Sequence, residues 1–181
     1  RENGSNYSMI LRRTTLDGVW IFEPKQSGYD ERGPIVQTFH QTDFDLATLG
    51  IEGTPVDWVQ ENVTISDKNV LRGIHGYHDL WRLCYCAHGK IYFVIVNCRE
   101  NDSQFGKWQA WSLYAPQYGI FLVPPGFGMA CLTLSQTSTF VYKWSGYYEE
   151  HEQFRFKWND LRFKIDWPMI HQPFILSEED K

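Results

Sequence analysis

No apolar run in this 181-residue sequence approaches the ~20 residues that a membrane-spanning helix needs. A basic excess is also missing. The 17 Lys and Arg are outnumbered by 22 Asp and Glu, a net charge of −5 that excludes the footprint of a general nucleic-acid binder. A few converging Arg side chains can still hold a small polyanion. Residues 1–8 lack the apolar core of a signal peptide and read as a tail, native or artificial, with Met9 an alternative start. Cysteine is scarce: Cys84, Cys86, Cys98 and Cys131 read as buried, reduced thiols in a cytoplasmic protein. Structural zinc calls for matched Cys pairs, and no second pair accompanies Cys84 and Cys86, even with His75, His78 and His88 nearby. Internal repeats, low-complexity tracts and linkers are absent. The expected organisation is a tail and first strand over 1–16 and a single domain over 17–181.

Aromatic residues are plentiful: 8 Trp, 10 Tyr and 12 Phe make 17% of the chain. Flat, rigid side chains favour pleated, half-buried surfaces. Short apolar or alternating stretches recur between turn signals, and strands are predicted over 18–22, 34–39, 58–65, 80–86, 90–98, 109–113, 119–123, 129–134 and 139–144. Ser27-Gly28 reads as a turn. Segments 80–86 and 90–98 read as a hairpin closed by His88-Gly89, with 90–98 apolar on both faces and therefore sandwiched. A short helix is expected over 43–49, with Asp43 as its N-cap, and another within 149–161. The pattern predicts an all-β sandwich or barrel with a few short helices.

The stretch Val70-Leu71-Arg72-Gly73-Ile74-His75-Gly76 carries the most chemistry. Arg presents a planar, permanent charge suited to phosphate, and His moves protons near neutral pH. The flanking glycines let the backbone turn and a ligand approach. Together they point to an enzyme acting on a phosphorylated substrate, although a Gly-flanked Arg and His also occur in purely structural turns. In an extended strand the offset between His75 and His78 directs them to opposite faces.

Further segments follow in order: Asp30-Glu31-Arg32-Gly33, Val59-Gln60-Glu61-Asn62, Phe105-Gly106-Lys107-Trp108, Val123-Pro124-Pro125-Gly126-Phe127, Tyr142-Lys143, Trp158-Asn159-Asp160, Ile165-Asp166-Trp167-Pro168 and Ile175-Leu176-Ser177-Glu178-Glu179-Asp180. This succession, from about Asp17 to Asp180, resembles the dTDP-4-dehydrorhamnose 3,5-epimerase family. The resemblance implies a cupin-type jelly-roll β-barrel and a homodimer that exchanges N-terminal strands. It also implies a nucleotide-diphospho-4-keto-sugar substrate, with neither cofactor nor metal.

By the same resemblance His75 is the base, Asp180 its carboxylate partner and Tyr142 the acid on the opposite face. Arg72 sits near the diphosphate and sugar. Arg32, Gln60 and Asn62 hold the nucleotide or shape the pocket, Arg32 from across the dimer. Three positions depart from the family pattern. Met129 stands where a His is usual, and Met can neither donate a hydrogen bond nor carry a proton. Arg82 stands for a lysine, its fork placed differently from an ammonium. Gly76 follows the base where an aromatic residue is usual, so Arg-Gly-Ile-His-Gly looks more like the branch acting on GDP-4-keto-heptoses for capsule synthesis. The expected activity is inversion at C3, C5 or both, on a dTDP-, GDP- or CDP-linked 4-keto-sugar, for surface polysaccharide. The alternatives are a non-catalytic nucleotide-sugar-binding cupin and a sugar 3,4-ketoisomerase.

Overall fold

The computed structural model describes residues 10–44, 51, 57–115 and 119–181. Among these, the strands in chain order are β1 (Ile10–Arg13), β2 (Trp20–Glu23), β3 (Lys25–Asp30), β4 (Gly33–Gln37), β5 (Gln60–Asp67), β6 (Leu71–Tyr77) and β7 (Arg82–His88). They continue with β8 (Lys90–Asn97), β9 (Trp108–Tyr114), β10 (Ile120–Val123), β11 (Phe127–Thr133), β12 (Thr137–Trp144) and β13 (Gln153–Arg155). Every strand expected from the sequence is present, with ends displaced by at most two residues.

A six-stranded antiparallel sheet runs β1-β2-β10-β7-β12-β5, and a five-stranded one runs β13-β6-β11-β8-β9. Their inner faces share one core. Cys84, Cys86, Phe121, Val123 and Phe140 come from the first sheet, and Ile91, Phe93, Ile95 and Phe127 from the second. The spacing of two within each strand is the pleat alternation that directs these side chains inward. The even-numbered positions of β8 serve a second purpose. Val94 and Val96 pack outward under Phe163, with Phe154, Phe156, Ile165 and Trp167 around them, so β8 is covered on both faces as its composition requires.

Four local expectations are corrected. First, β7 and β8 do not form a hairpin, because they lie in different sheets. Both sides of β7 are taken by the later strands β10 and β12, and the chain crosses at Gly89, where φ is +78° and a side chain would collide with the Thr137 carbonyl. Second, Ser27 and Gly28 lie inside β3. The turn falls at Glu31-Arg32, where Asp30 Oδ1 accepts the Arg32 backbone N–H at 2.9 Å. Third, helical structure begins at Gln41 rather than at Asp43, which is the third residue of a single 3-10 turn (Gln41–Phe44) and accepts a hydrogen bond from Gln37 Nε2 at 3.0 Å. The rest of the helix expected over 43–49, and with it the N-cap role of Asp43, lies outside the described residues. Fourth, the segment 149–161 holds one 3-10 turn, Tyr148–Glu150, and then strand β13, which pairs with β6.

The C-terminal segment is tied to the barrel by backbone. Leu71 N–H donates to Ile175 O at 3.0 Å, and Ile175 N–H to Asn69 O at 2.9 Å. That attachment carries residues 176–180 across one end of the space between the sheets.

Candidate active site

At that end lies a cavity of about 620 Å³, walled by β5 and β12 on one side and β6 and β11 on the other, with the C-terminal segment over it. Asn62 and Thr64 on β5 pair with Tyr142 and Phe140 on β12, so the pleat presents all four on one wall. Arg72 and His75 face them from β6. Three residues apart, these two would point to opposite faces of a regular strand. They share a face because β6 takes three steps from Arg72 to His75 while β11 takes two from Cys131 to Met129, a β-bulge. The extra residue sits at Gly73 (φ +116°), where a Cβ would lie 2.4 Å from the Met129 carbonyl oxygen. Gly76 has a similar structural cause: its missing side chain makes room for the Phe154 ring and the Phe127 carbonyl. Both glycines therefore admit the protein's own packing, where the sequence had pointed to ligand approach.

His75 Nε2 lies 2.6 Å from Asp180 Oδ1. The carboxylate is 5% exposed and the imidazole 30%, so the pair is buried on the acid side and opens to the cavity on the other. A carboxylate accepts, so Nε2 carries the proton and Nδ1 keeps the lone pair for chemistry. Tyr142 stands on the opposite wall, wedged edge-on to Trp144 with ring centroids 4.7 Å apart. Burial raises its hydroxyl above the ordinary tyrosine range, an effect that nearby Arg72 opposes, and the group stays a protonated donor at neutral pH.

Arg72 is oriented by Ser66, whose Oγ accepts its Nε–H at 3.0 Å and leaves the terminal nitrogens of the fork for an anion. Arg82 is fully buried on the cavity floor. Its two terminal nitrogens donate to the carbonyls of His75 (3.1 Å) and Phe127 (2.5 Å), while Nε has no partner. Burial pushes this guanidinium down to about 10, so it remains a cation at neutral pH with no carboxylate beside it among the described residues. Met129 faces His75 in register, its sulfur 3.7 Å from the Cys84 thiol. Asn62 lines the cavity. Gln60 lies just outside it, and its Oε1 accepts the Tyr148 backbone N–H at 3.0 Å, which positions a residue that does line it. Arg32 is not brought to this cavity. It sits 87% exposed at the tip of the β3–β4 hairpin, paired with Asp30. Among the described residues no cluster of His, Cys, Asp and Glu has the arrangement of a metal site, and His78 packs on Phe154 outside the cavity.

A bulged strand thus carries an Arg and a carboxylate-paired His opposite a Tyr from the facing sheet. The family model for dTDP-4-dehydrorhamnose 3,5-epimerase matches residues 13–181. The chain belongs to the dTDP-4-dehydrorhamnose 3,5-epimerase family. It is 38% identical to the enzyme of that name from Escherichia coli K12 over 176 residues, which span 96% of this chain and 92% of the relative. Among solved structures it is similar to dTDP-6-deoxy-D-glucose-3,5-epimerase RmlC from Legionella pneumophila, in complex with dTDP-4-keto-L-rhamnose. That likeness has a TM-score of 0.84 at 32% identity, covering 95% of this chain and 89% of that one. It is also similar to ChmJ, a 3'-monoepimerase from Streptomyces bikiniensis in complex with dTDP-quinovose (TM-score 0.80, 28% identity, 92% and 83% covered). As a member of this family the chain is an isomerase with an RmlC-like cupin fold.

Tyr77 and Gln153 line the cavity and Ser66 orients Arg72, yet a reading of the sequence picks out none of them. Ser66 and Gln153 carry no motif. Tyr77 was detectable as the residue two beyond His75, on the same face of a strand.

Proposed function

We propose that the chain is a cofactor-independent epimerase that inverts C3 and C5 of a dTDP-linked 4-keto-sugar in cytoplasmic deoxysugar biosynthesis for surface polysaccharide. The carrying observation is the His75–Asp180 pair at 2.6 Å on one wall of a cavity with Tyr142 on the other. The C4 ketone acidifies the hydrogens on its neighbouring carbons. His75 Nδ1 takes one, and the electron pair moves into the enolate as charge builds on the keto oxygen. Tyr142 returns a proton to the opposite face of the carbon, and the enolate collapses to the ketone. Asp180 stabilises the imidazolium between these steps. The buried, carboxylate-free charge of Arg82 favours the anionic enolate electrostatically. Arg72, with Asn62 beside it, takes the diphosphate end, and Gln60 shapes the rim.

The relatives' dTDP ligands support the nucleotide, and the fork held by Ser66 suits any diphosphate. Arg32 and Met129 complete the set: Arg32 reaches the site of a partner in a homodimer with exchanged N-terminal strands, and Met129 sets the sugar. The solitary β3–β4 hairpin supports the dimer, since it belongs to neither main sheet and holds Arg32 away from its own cavity. Light scattering should then return twice the 21.4 kDa of one chain.

A second reading is favoured by Met129 and Gly76: a GDP-4-keto-heptose as substrate, or inversion at a single centre. Mass spectrometry of dTDP- and GDP-linked 4-keto-sugars incubated with the protein in heavy water separates the cases. Two deuteriums gained from the dTDP substrate support the first reading, and one supports a single-centre enzyme. Exchange with the GDP substrate alone moves the assignment to that branch. Binding without exchange makes the protein a non-catalytic sugar-nucleotide carrier.

A further inference from the structure

An enolate needs hydrogen-bond donors at its oxygen, and the cavity floor offers few. Met129 has none to give, and Arg82 directs both terminal nitrogens at backbone carbonyls. One further polar group stands on the wall of the base. Tyr77 is two residues beyond His75 on β6, lines the same cavity and is only 4% exposed. Its hydroxyl accepts a hydrogen bond from Gln153 Nε2 at 3.0 Å. The direction of that bond is fixed from behind, because Gln153 Oε1 accepts from Arg155 Nε at 2.7 Å and a guanidinium N–H can only donate. With the amide oxygen held by Arg155, the amide NH₂ must face Tyr77. Tyr77 therefore cannot donate to Gln153, and its own proton is left for the cavity. Arg155 is itself anchored by an ion pair with Glu179, next to Asp180. The relay Arg155 to Gln153 to Tyr77 thus aims one O–H donor into the site from the same segment pairing that seats the catalytic carboxylate.

We propose that Tyr77 is a catalytic donor to the C4 keto oxygen, stabilising the enolate formed when His75 removes the neighbouring proton. This inference rests on the epimerase reading of the cavity. Tyr77 and Tyr142 then divide the work. Tyr142 delivers a proton to carbon from the far wall, whereas Tyr77 shares its proton with oxygen and keeps it. Burial raises Tyr77 above the ordinary tyrosine range, an effect opposed by nearby Arg82, so the hydroxyl remains a donor throughout the neutral range.

The test compares the wild type with Tyr77→Phe and Gln153→Glu, each assayed for solvent deuterium entering dTDP- and GDP-linked 4-keto-sugars. In Tyr77→Phe, exchange at saturating substrate should fall about 100-fold, the usual loss for one oxyanion donor, with KM little changed. Gln153→Glu preserves a hydrogen bond but reverses it, since a carboxylate accepts the Tyr77 proton and turns it from the substrate. It should lose activity comparably while keeping the wild-type melting temperature, which a purely structural Tyr77 would not predict. Wild-type exchange rates in either folded variant overturn the donor role. Absence of exchange in the wild type with both sugars overturns the epimerase reading, and the inference falls with it.

Discussion

His75 and Asp180 are 105 residues apart in sequence and 2.6 Å apart in space. The contact depends on Ile175, which joins the C-terminal segment to Asn69 and Leu71 at the start of the strand that carries the base. Asp180→Asn keeps the shape of the acid but removes the charge that favours the imidazolium. Turnover should fall by about 10³-fold, within the usual range for a general-base system. His75→Asn should abolish exchange of carbon-bound hydrogens altogether. Deuterium incorporation by mass spectrometry measures both, and persistent exchange in His75→Asn would assign the base elsewhere.

Tyr142→Phe separates two halves of the reaction. Removing a proton and returning one to the other face are different tasks on opposite walls. Inversion should slow by about 10²-fold or more, while some washing of deuterium into unreacted substrate continues through His75. Stereochemical analysis of the recovered sugar, alongside its isotope content, reads both quantities. Unchanged inversion would exclude Tyr142 as the acid.

The bulge at Gly73 makes a stability prediction. In Gly73→Ala the new Cβ meets backbone atoms on β11, at 2.4 Å from the Met129 oxygen and 2.7 Å from the Ala130 Cα, at a φ of +116°. Neither neighbour is the mobile end of a side chain. The cost should be about 3 kcal/mol or more, from collision and from backbone strain together. Chemical denaturation checks the loss. Activity should fall further than stability alone accounts for, because removing the bulge takes Arg72 and His75 off their shared face.

How far the sequence could lead is clearest on β6. Its Arg and its His were legible from residue types, although the strand that carries them was not among those expected, its glycines suggesting a turn. The bulge that points both side chains one way was not legible either, because it depends on how β11 registers against β6. Likewise β7 and β8 were each recognisable as strands, but their separation into two sheets is decided by the later strands that flank β7. The pairing of His75 with Asp180 came from family resemblance, since no local pattern links positions so distant. Arg82 read as a fork for the substrate. Two of its nitrogens hold backbone instead, a consequence of burial that residue type alone does not reveal.

The thiols give the molecule an alkaline limit. Burial pushes Cys84 and Cys98 up to about 12 from an ordinary value of 9.0, and it raises Cys86 and Cys131 as well. A thiol that is weaker as an acid when folded stays protonated after the unfolded chain has lost its proton. Unfolding then releases protons, and stability falls as pH rises from about 9 towards 12, by roughly 1.4 kcal/mol per pH unit for a fully buried thiol such as Cys84. Denaturation midpoints should be flat between pH 6.5 and 8, in buffers of about 0.15 M ionic strength, and drop steeply above 9. Replacing Cys84 with Ala should lower stability at neutral pH through lost packing while flattening the alkaline slope.

Met129→His probes the choice of sugar. Met129 stands in register with His75 and packs its sulfur at 3.7 Å from Cys84, in a corner of the cavity lined by Phe93, Cys131 and Phe140. An imidazole there introduces a donor beside the substrate and loses the sulfur contact. Burying the new polar ring should cost about 1–3 kcal/mol of stability. If this position sets which 4-keto-sugar is accepted, the ratio of kcat/KM for a dTDP-linked 4-keto-6-deoxy sugar over a GDP-linked heptose should rise about tenfold, equivalent to ~1.4 kcal/mol of differential transition-state binding. The comparison must be a ratio, because a general loss of folding or of His75 basicity lowers both rates together and leaves it fixed. A ratio unchanged in the folded variant would move the determinant away from Met129, with Leu176 and Ser177 of the C-terminal segment, which also line the cavity, the next positions to test.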